Sequence, residues 1–366
     1  MVDERSTASP LSGAWGPLLA PLGLAYEGVV RARAALYRRG WLRTHWLAAP
    51  VVSVGNLTAG GSGKTPVVDV LARHALSLGL ATAVLTRGYG RGGRSDLIRM
   101  RGVAGGLVSP DSLGDEPYWL AARNPDLTLC IGRSRRLAGR LAGLSDPPRL
   151  VLLDDGFQHL PLGRRLNLLL IDAGRGLGNG HVLPRGWLRE PISAARRADA
   201  LIVTQANLGD AERVLSELRA RIGTLPPVFR FAYRPRRIAR LDGGAEAAPE
   251  ALAGRRVGAL CAIARPEAFA ATLRAAGAEI ASLEARPDHD PYDEPALYRI
   301  ERLLADAPAD VPAWITTEKD AVKLRGRLVH ADRLWVLEMA VDPDPAWEPY
   351  FTEFLARHGL TAVAKA

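Results

Sequence analysis

Short apolar runs alternate with a helical pattern along the first part of the chain. Between the first two runs, residues 65–79 place apolar side chains at helical spacing. Five runs have the length and the bounding turn signals of buried strands, namely residues 49–55, 81–88, 149–156, 166–172 and 199–205. This alternation predicts an α/β unit built on a largely parallel sheet.

A second, smaller α/β unit is predicted towards the C-terminus. Residues 225–237 are rich in Pro and Arg and predict a hinge, and residues 242–254 are rich in small residues and predict a loop. Further strands and helices are predicted beyond the hinge: strands at residues 255–264, 278–285, 312–319 and 332–339, and helices at 266–277 and 294–307. We therefore divide the chain into an N-terminal segment (1–47), a core domain (48–225) and a smaller α/β domain with a C-terminal helix (226–366).

The N-terminal segment has its own pattern. Residues 11–26 carry no charge, but they are fewer than the roughly 20 apolar residues of a membrane-spanning helix and include Pro17 and Pro21. Residues 27–46 mix apolar and aromatic side chains with five arginines, which is typical of a helix lying in an anionic membrane interface. The alternative is an amphipathic helix that packs on the protein's own core. The acidic start of the chain argues against a signal peptide.

Composition adds a preference for anionic partners. The formal net charge is +9, which suits a nucleic acid, an acidic membrane face or a phosphorylated substrate without choosing among them. Two cysteines without metal spacing indicate a reducing compartment. Among 48 basic residues, lysine occurs only at positions 64, 319, 323 and 365. Lysine persists either where a compact ammonium is needed or by chance.

Residues 58–65, TAGGSGKT, have the context of a phosphate-binding loop. They follow a predicted strand and precede a predicted helix, so backbone N–H groups and the helix N-terminus can hold phosphates. Lys64 can reach the β- and γ-phosphates, and the Thr65 hydroxyl can hold Mg²⁺. Thr58 departs from the strict pattern, which begins with glycine, and a structural glycine turn is the alternative. The predicted ATP-binding residues are Thr58, Ala59, Gly60, Gly61, Ser62, Gly63, Lys64 and Thr65.

Two carboxylates at a strand end support this interpretation. Asp154 and Asp155 follow the apolar run 149–153 and would stand at the carboxyl edge of the sheet, where P-loop enzymes hold their metal. A guanine-reading N-K-x-D sequence is absent, which disfavours a GTPase. A partner-moving ATPase stays possible, although Ala59 interrupts the Lys-Gly-Gly opening of that group.

Several polar segments in a fixed order extend the pattern. They are SVGNLTAGGSGKTP (53–66), TRGYGR (86–91), SLGDEPYWLA (112–121), DDGFQHLPL (154–162), LPRGWLREP (183–191), RPDHDPYD (286–293) and TTEKDAVKL (316–324). With them the chain, from about residue 12 to 358, resembles the tetraacyldisaccharide 4′-kinase family. The family's loop also begins with threonine, so Thr58 is a family trait.

The resemblance implies a fold and a reaction. It implies a P-loop kinase core with a mostly parallel sheet, a smaller α/β domain and a membrane-associated N-terminal helix. It implies transfer of the γ-phosphoryl group of ATP, with Mg²⁺, to the 4′ hydroxyl of an acylated disaccharide 1-phosphate lipid. The place of action would be the cytoplasmic face of the Gram-negative inner membrane, with no nucleic acid and no obligate protein partner. The competing hypothesis is a P-loop ATPase that drives a partner, which would turn over ATP without an acceptor lipid.

Site residues follow from the resemblance by position. The catalytic pair is Asp115 and His289, facing each other across a cleft. The remaining positions are Thr65, Asp154, Asp155 and Glu190 for the metal, Gln158 and His159 at the active-site edge, and Arg185 and Arg189 near phosphate charge.

Simpler roles stay open for several of these residues. Asp115 suits a helix N-cap, and His289 suits an ordinary exposed loop. His159 suits either substrate contact or ordering of the carboxylates. Lys319 and Lys323 suit bracing of the second domain.

Overall fold

The computed structural model describes residues 18–60, 63–88, 97–102, 110–308, 311 and 313–361. Helices α1 to α10 span Ala20–Arg38, Lys64–Ser77, Pro110–Leu113, Asp115–Arg123, Arg135–Ala142, Ala211–Ile222, Pro266–Ala275, Glu294–Ala305, Glu318–Leu324 and Trp347–Arg357. Strands β1 to β14 span Val51–Asn56, Thr82–Thr86, Leu97–Arg101, Thr128–Gly132, Leu150–Asp154, Leu166–Asp172, Ala200–Thr204, Val228–Arg230, Ala232–Arg240, Glu246–Ala247, Arg256–Cys261, Glu279–Ala285, Trp314–Thr317 and Leu334–Asp342.

The first sheet confirms the predicted α/β core. Its strand order is β3-β4-β2-β5-β1-β6-β7-β8, and all neighbours are parallel except the edge pair β3 and β4. The central strands are buried along their whole length, as expected for a parallel sheet covered on both faces. Strand β1 lies between β5 and β6, with Val54 opposite Asp154. The loop after β1 and the carboxylates after β5 therefore meet at one edge of the sheet.

The second sheet has the order β10-β9-β14-β13-β11-β12, in which β11 to β14 are parallel and β9 and β10 are antiparallel. The predicted hinge, residues 225–237, contains β8 of the first sheet and the start of β9 of the second. Helix α10 packs on the first sheet, where Trp347 lies edge-on to Phe229 and Phe231. The division of the chain near residue 225 stays a prediction.

Charged contacts join the two sheets. Arg123 of α4 donates to Glu318 of α9 at 2.9 Å and pairs with Asp69 of α2 at 3.3 Å. Arg265, which precedes α7, pairs with the buried Asp172 at the end of β6 at 3.0 Å. These pairs position the second sheet over the carboxyl edge of the first.

Helix α1 is docked along part of its surface. Gly23 is buried, the Tyr26 hydroxyl donates to the backbone carbonyl of Arg189 at 3.0 Å, and Arg33 donates to the carbonyl of Gln158 at 3.2 Å. Among the described helices, none is both long and apolar enough to cross a membrane.

Candidate active site

The glycine loop leads directly into α2. Gly63 is the residue before the helix and has a φ of +70°, and a Cβ there would collide with the Tyr233 hydroxyl. That hydroxyl donates to the Gly63 carbonyl at 3.0 Å. Gly60 also has a positive φ, +95°. Glycine is required at both positions because an L side chain is strained at such φ values. The predicted residues Gly61 and Ser62 lie outside the described residues.

Thr58 has a structural task in this loop. Its hydroxyl accepts a hydrogen bond from Asn56 Nδ2 at 3.0 Å, while Asn56 Oδ1 accepts one from Lys64 Nζ at 3.4 Å. The next residue, Ala59, donates its backbone N–H to the carbonyl of Trp187 at 2.7 Å. The threonine hydroxyl thus holds the side chain of Asn56, the last residue of β1, whose Oδ1 contacts the loop's ammonium group.

The neighbouring carboxylates of Asp154 and Asp155 have opposite environments. Asp154 accepts from the Thr86 hydroxyl at 3.0 Å through Oδ2, while its buried Oδ1 has no partner among the described residues. Burial, then repulsion by Glu116 and Asp155, raises the pKa of Asp154 to about 6. Its second oxygen is therefore an unsatisfied acceptor beside the glycine loop.

Asp155 is held by cations. Arg189 Nη1 lies 2.9 Å from Oδ2 and 3.1 Å from Oδ1, and Lys64 Nζ lies 3.5 Å from Oδ1. Burial alone would raise the pKa of this carboxyl, but Lys64 and Arg189 outweigh it and hold the pKa below its usual range. The backbone φ of Asp155 is +50°, which aspartate tolerates better than most residues.

The predicted metal ligands are not all assembled into one cluster. No group of three or more His, Cys, Asp or Glu side chains in the described part of the chain is arranged to hold a metal ion. Glu190 is buried and pairs with Arg197 at 2.5 Å. Mg²⁺ usually takes one or two protein carboxylates and completes its shell with water and phosphate oxygens. The orphan oxygen of Asp154 and the hydroxyl of Thr65, in the first turn of α2, suit such an ion.

Gln158 and His159 lie behind the carboxylates. Gln158 Nε2 donates to the carbonyl of Asn56 at 2.8 Å and to Glu190 at 3.4 Å, so it braces the end of β1. Burial and the nearby Arg135 lower the pKa of His159 to about 4, which keeps the ring neutral. Among the described residues, the ring donates no hydrogen bond to Asp154 or Asp155, and its buried Nε2 has no partner. Arg185 packs against Gly23 of α1.

Asp115 and His289 are brought together although 174 residues separate them. Asp115 is the first residue of α4, the N-cap position belongs to Gly114, and the carboxylate lies at the cleft. His289, at a φ of +62° in the loop after β12, places Nδ1 3.2 Å from Asp115 Oδ2. Lys323 Nζ lies 2.8 Å from the same oxygen. Burial would raise the pKa of Asp115, but His289 and Lys323 outweigh it and lower it.

One cleft of about 320 Å³ is lined by both the glycine loop and Asp115. Gly63, Lys64 and Thr65 line one part, and Asp115 lies beside them on α4. The second sheet and its helices contribute Lys319 and apolar residues, including Phe269 and Met339, to the lining of the same cleft. The cleft can therefore hold a polyphosphate near Lys64 and an acceptor hydroxyl near Asp115.

Three contributing residues were not predicted from the sequence. Asn56 positions Lys64 and Thr58, Tyr233 holds the glycine loop, and Arg197 neutralises Glu190. A polar residue at the end of a buried, mostly apolar strand was a usable signal for Asn56. Tyr233 and Arg197 lie in segments without any comparable signal.

The family model, the two relatives and the solved structure named below all point to one family. A family model described as tetraacyldisaccharide-1-P 4′-kinase matches residues 15–357. The tetraacyldisaccharide 4′-kinase of Syntrophus aciditrophicus is 39% identical over 92% of this chain and 92% of its own length. That of Geobacter metallireducens is 41% identical over 90% and 95%, respectively. The crystal structure of LpxK from Aquifex aeolicus in complex with ATP matches with a TM-score of 0.75 and 29% identity, covering 94% of this chain and 99% of that one.

Replacing each neighbouring aspartate with asparagine is expected to change stability in opposite directions. Because the folded pKa of Asp154 is raised, its contribution to stability falls as the pH rises from the ordinary value of 3.8 to about 6. Above that range the ionised side chain is destabilising. Asp154→Asn should therefore raise the melting temperature at about pH 7 without nucleotide or metal.

The matched variant Asp155→Asn should lower the melting temperature. The folded pKa of Asp155 is lowered, so its ion pairs stabilise the protein above the ordinary value of 3.8 and are lost as the pH falls below it. Asparagine tolerates the positive φ, so the loss is electrostatic. Thermal unfolding followed by circular dichroism measures both variants, and a lower melting temperature for Asp154→Asn would contradict the assignment.

Proposed function

The chain belongs to the tetraacyldisaccharide 4′-kinase family, and we infer that it transfers the γ-phosphoryl group of ATP to the 4′ hydroxyl of a tetraacyldisaccharide 1-phosphate in lipid A biosynthesis. The observation that carries this inference is the family match over residues 15–357. The common cleft of the glycine loop and Asp115 agrees with it.

The glycine loop and the start of α2 bind the phosphates of ATP. Backbone N–H groups at the helix N-terminus face the phosphates, and Lys64 compensates their charge. The contacts of Lys64 with Asn56 and Asp155 are 3.4 Å and 3.5 Å, long enough for phosphate oxygens to compete for the ammonium. Arg189 keeps Asp155 paired when Lys64 turns to a phosphate.

Mg²⁺ fits the donor set beside the loop. Asp154 and Thr65 are the ligands best supported by the structure. Asp155 follows Asp154 in the chain, and Glu190 accepts a hydrogen bond from Gln158 at 3.4 Å. When bound, the ion neutralises phosphate charge. The buried Oδ1 of Asp154, which has no hydrogen-bond partner among the described residues, is an acceptor that a cation would satisfy.

Asp115 serves as the proton acceptor. As the 4′ oxygen bonds to the γ-phosphorus, the hydroxyl proton passes to the Asp115 carboxylate, and the β–γ bridging oxygen leaves with its electron pair as part of ADP. His289 orients the carboxylate through the 3.2 Å contact. Asp115 begins α4, which packs with the first sheet, and His289 follows β12 of the second sheet. The packing of the second sheet on the first therefore completes the pair.

Membrane association is proposed for helix α1. Leu22, Leu24 and Val29 expose 60%, 70% and 67% of their surface, while Gly23 and Tyr26 face the protein. Apolar side chains next to arginines suit an anionic interface. One side of α1 packs on the protein, as the core-packing alternative requires, and its exposed apolar side chains are left to contact the membrane. The inner face of the Gram-negative inner membrane is the site that suits the lipid substrate.

A lipid kinase assay tests the function. Purified protein with ATP, Mg²⁺ and disaccharide 1-phosphate lipid should give a bisphosphorylated product by mass spectrometry. Lys64→Ala and Thr65→Ala should each lower turnover by on the order of 100-fold or more, because each removes a group that contacts phosphate or metal. Thr65→Ser keeps the hydroxyl and is the matched control. ATP turnover that is independent of the lipid would favour the partner-driving ATPase.

The catalytic pair predicts a non-additive loss. Asp115→Ala and His289→Ala should each lower kcat by about 100-fold or more while changing the KM for ATP little. The double variant should be far less impaired than the product of the two losses, since the residues act as one unit. His330→Ala is the control, because this histidine pairs with Glu301. Fully multiplicative losses would exclude the pair.

The membrane proposal predicts weaker vesicle binding without loss of the fold. Changing Leu22, Leu24 and Val29 to serine should weaken binding to anionic vesicles by about tenfold or more, since each buried apolar side chain contributes roughly 1 kcal/mol or more. The KM for dispersed lipid should rise more than the KM for ATP. Tyr298→Ser with Val329→Ser is the control on the second unit, where both side chains are exposed. Unchanged vesicle binding would exclude the exposed face of α1 as the contact.

A further inference from the structure

Two lysines of α9 reach the Asp115–His289 pair from the second sheet. Lys319 and Lys323 are four residues apart, so they lie on one face of the helix. Lys323 Nζ lies 2.8 Å from Asp115 Oδ2, and Lys319 Nζ lies 3.2 Å from His289 Nε2. We propose that both are positioning residues, Lys323 holding Asp115 ionised and in one orientation and Lys319 fixing the tautomer of His289. This inference rests on the proposed role of Asp115.

Lys323 is buried, and a buried ammonium group needs specific polar or charged partners. Its side chain is 7% exposed and that of Asp115 is 8% exposed. The ammonium also donates to the carbonyl of Asp290 at 2.7 Å. A buried ion pair of this kind is weak evidence for stability, because desolvation offsets much of the attraction. Its more direct consequence is to keep a proton acceptor charged in a site that would otherwise favour the neutral acid.

The two carboxylate oxygens of Asp115 have different contacts. His289 and Lys323 both contact Oδ2, and no described residue donates a hydrogen bond to Oδ1. A carboxylate can accept through both oxygens. Oδ1 is therefore the oxygen left for the acceptor hydroxyl, while Oδ2 is used to hold the carboxylate in place.

Lys319 decides which nitrogen of His289 carries the proton. An ammonium group only donates, so His289 Nε2 must accept from Lys319. We assign the ring proton to Nδ1, which then donates to Asp115 Oδ2. In this arrangement neither ring nitrogen can accept a proton from the substrate. His289 therefore orients the carboxylate, and Asp115 alone accepts the proton.

The competing role for Lys323 is to brace the loop after β12, and Arg327 provides a control for that role. Arg327 donates to the carbonyl of Tyr292 at 2.7 Å, as Lys323 does to that of Asp290. Both basic residues therefore hold the same loop, but only Lys323 contacts Asp115. A bracing role predicts similar effects for Lys323→Met and Arg327→Met, and a positioning role predicts different ones.

Charges around Asp115 set the expected pH dependence. The described groups that contact it or line its cleft include Lys323, Lys319, Glu318, Glu116, Lys64 and His289. Of these, His289, Lys323 and Lys319 lower the pKa of Asp115 against the effect of burial. Removing Lys323 should therefore raise that pKa, so the acid limb of kcat, which follows deprotonation of the base, moves to higher pH.

The test measures kcat and KM for ATP against pH in wild type, Lys323→Met, Lys323→Arg and Arg327→Met. Lys323→Met should move the acid limb up by about 1 to 3 pH units and leave the KM for ATP unchanged. Lys323→Arg keeps the positive charge, so its acid limb should lie closer to that of wild type than the acid limb of Lys323→Met does. Lys319→Met should lower kcat at every pH. An unmoved limb in Lys323→Met, or the same shift in Arg327→Met, overturns the inference.

Unfolding measurements test the Lys323–Asp115 ion pair without an activity assay. Lys323→Met leaves the buried Asp115 carboxylate without its ammonium partner and should lower the melting temperature, whereas Asp115→Asn combined with Lys323→Met should recover it. No recovery in the double variant overturns the ion-pair role. Product formation by wild type with an unmoved limb overturns this inference alone. Absence of product from wild type overturns the proposed function, and the unfolding series then still decides the ion pair.

Discussion

A carboxylate that is buried in this site needs a partner for its charge, because desolvation there opposes ionisation. Asp155 has Lys64 and Arg189, Asp115 has Lys323 and His289, and Glu190 has Arg197. Asp154 is different, since one oxygen has only the Thr86 hydroxyl and the other, Oδ1, has no partner in the described residues. The exception lies beside the glycine loop, where a phosphate-bound cation would provide the missing charge.

The same requirement links the two sheets. Asp115 belongs to the first sheet's layer, but both groups that contact it come from the second. Tyr233 of β9 likewise holds Gly63 of the loop after β1. The glycine loop and Asp115 are thus each stabilised by contacts from the second sheet. A change in the packing of the two sheets would therefore alter both.

Helix α1 connects the site to its surroundings. Tyr26 contacts the backbone of Arg189, and the Arg189 side chain holds Asp155. The exposed apolar side chains of the helix lie on the same element. A lipid acceptor that arrives from a membrane interface would therefore meet α1 first. Two contacts link this helix to the Asp155 carboxylate, Tyr26 with Arg189 and Arg189 with Asp155.

Local pattern was sufficient for much of the fold. Apolar runs predicted the parallel strands β1, β2 and β5 to β7, because strands buried on both faces carry continuous apolar sequence. It did not single out β3, whose apolar residues alternate with Arg99 and Arg101 at the sheet edge. The glycine loop was predictable because its residues are adjacent in sequence and lie between a strand and a helix.

Contacts between distant residues were decided only by the tertiary structure. The sequence by itself determined the parallel core, the glycine loop between a strand and a helix, and the family, and the resemblance suggested Asp115 and His289 as a pair. It could not show that Lys323 contacts the same oxygen of Asp115 as His289, or that Tyr233 holds Gly63. Nor could it show that one oxygen of Asp154 has no hydrogen-bond partner among the described residues. Periodicity reports which face of an element is buried, whereas a partner across 174 residues depends on how two sheets pack.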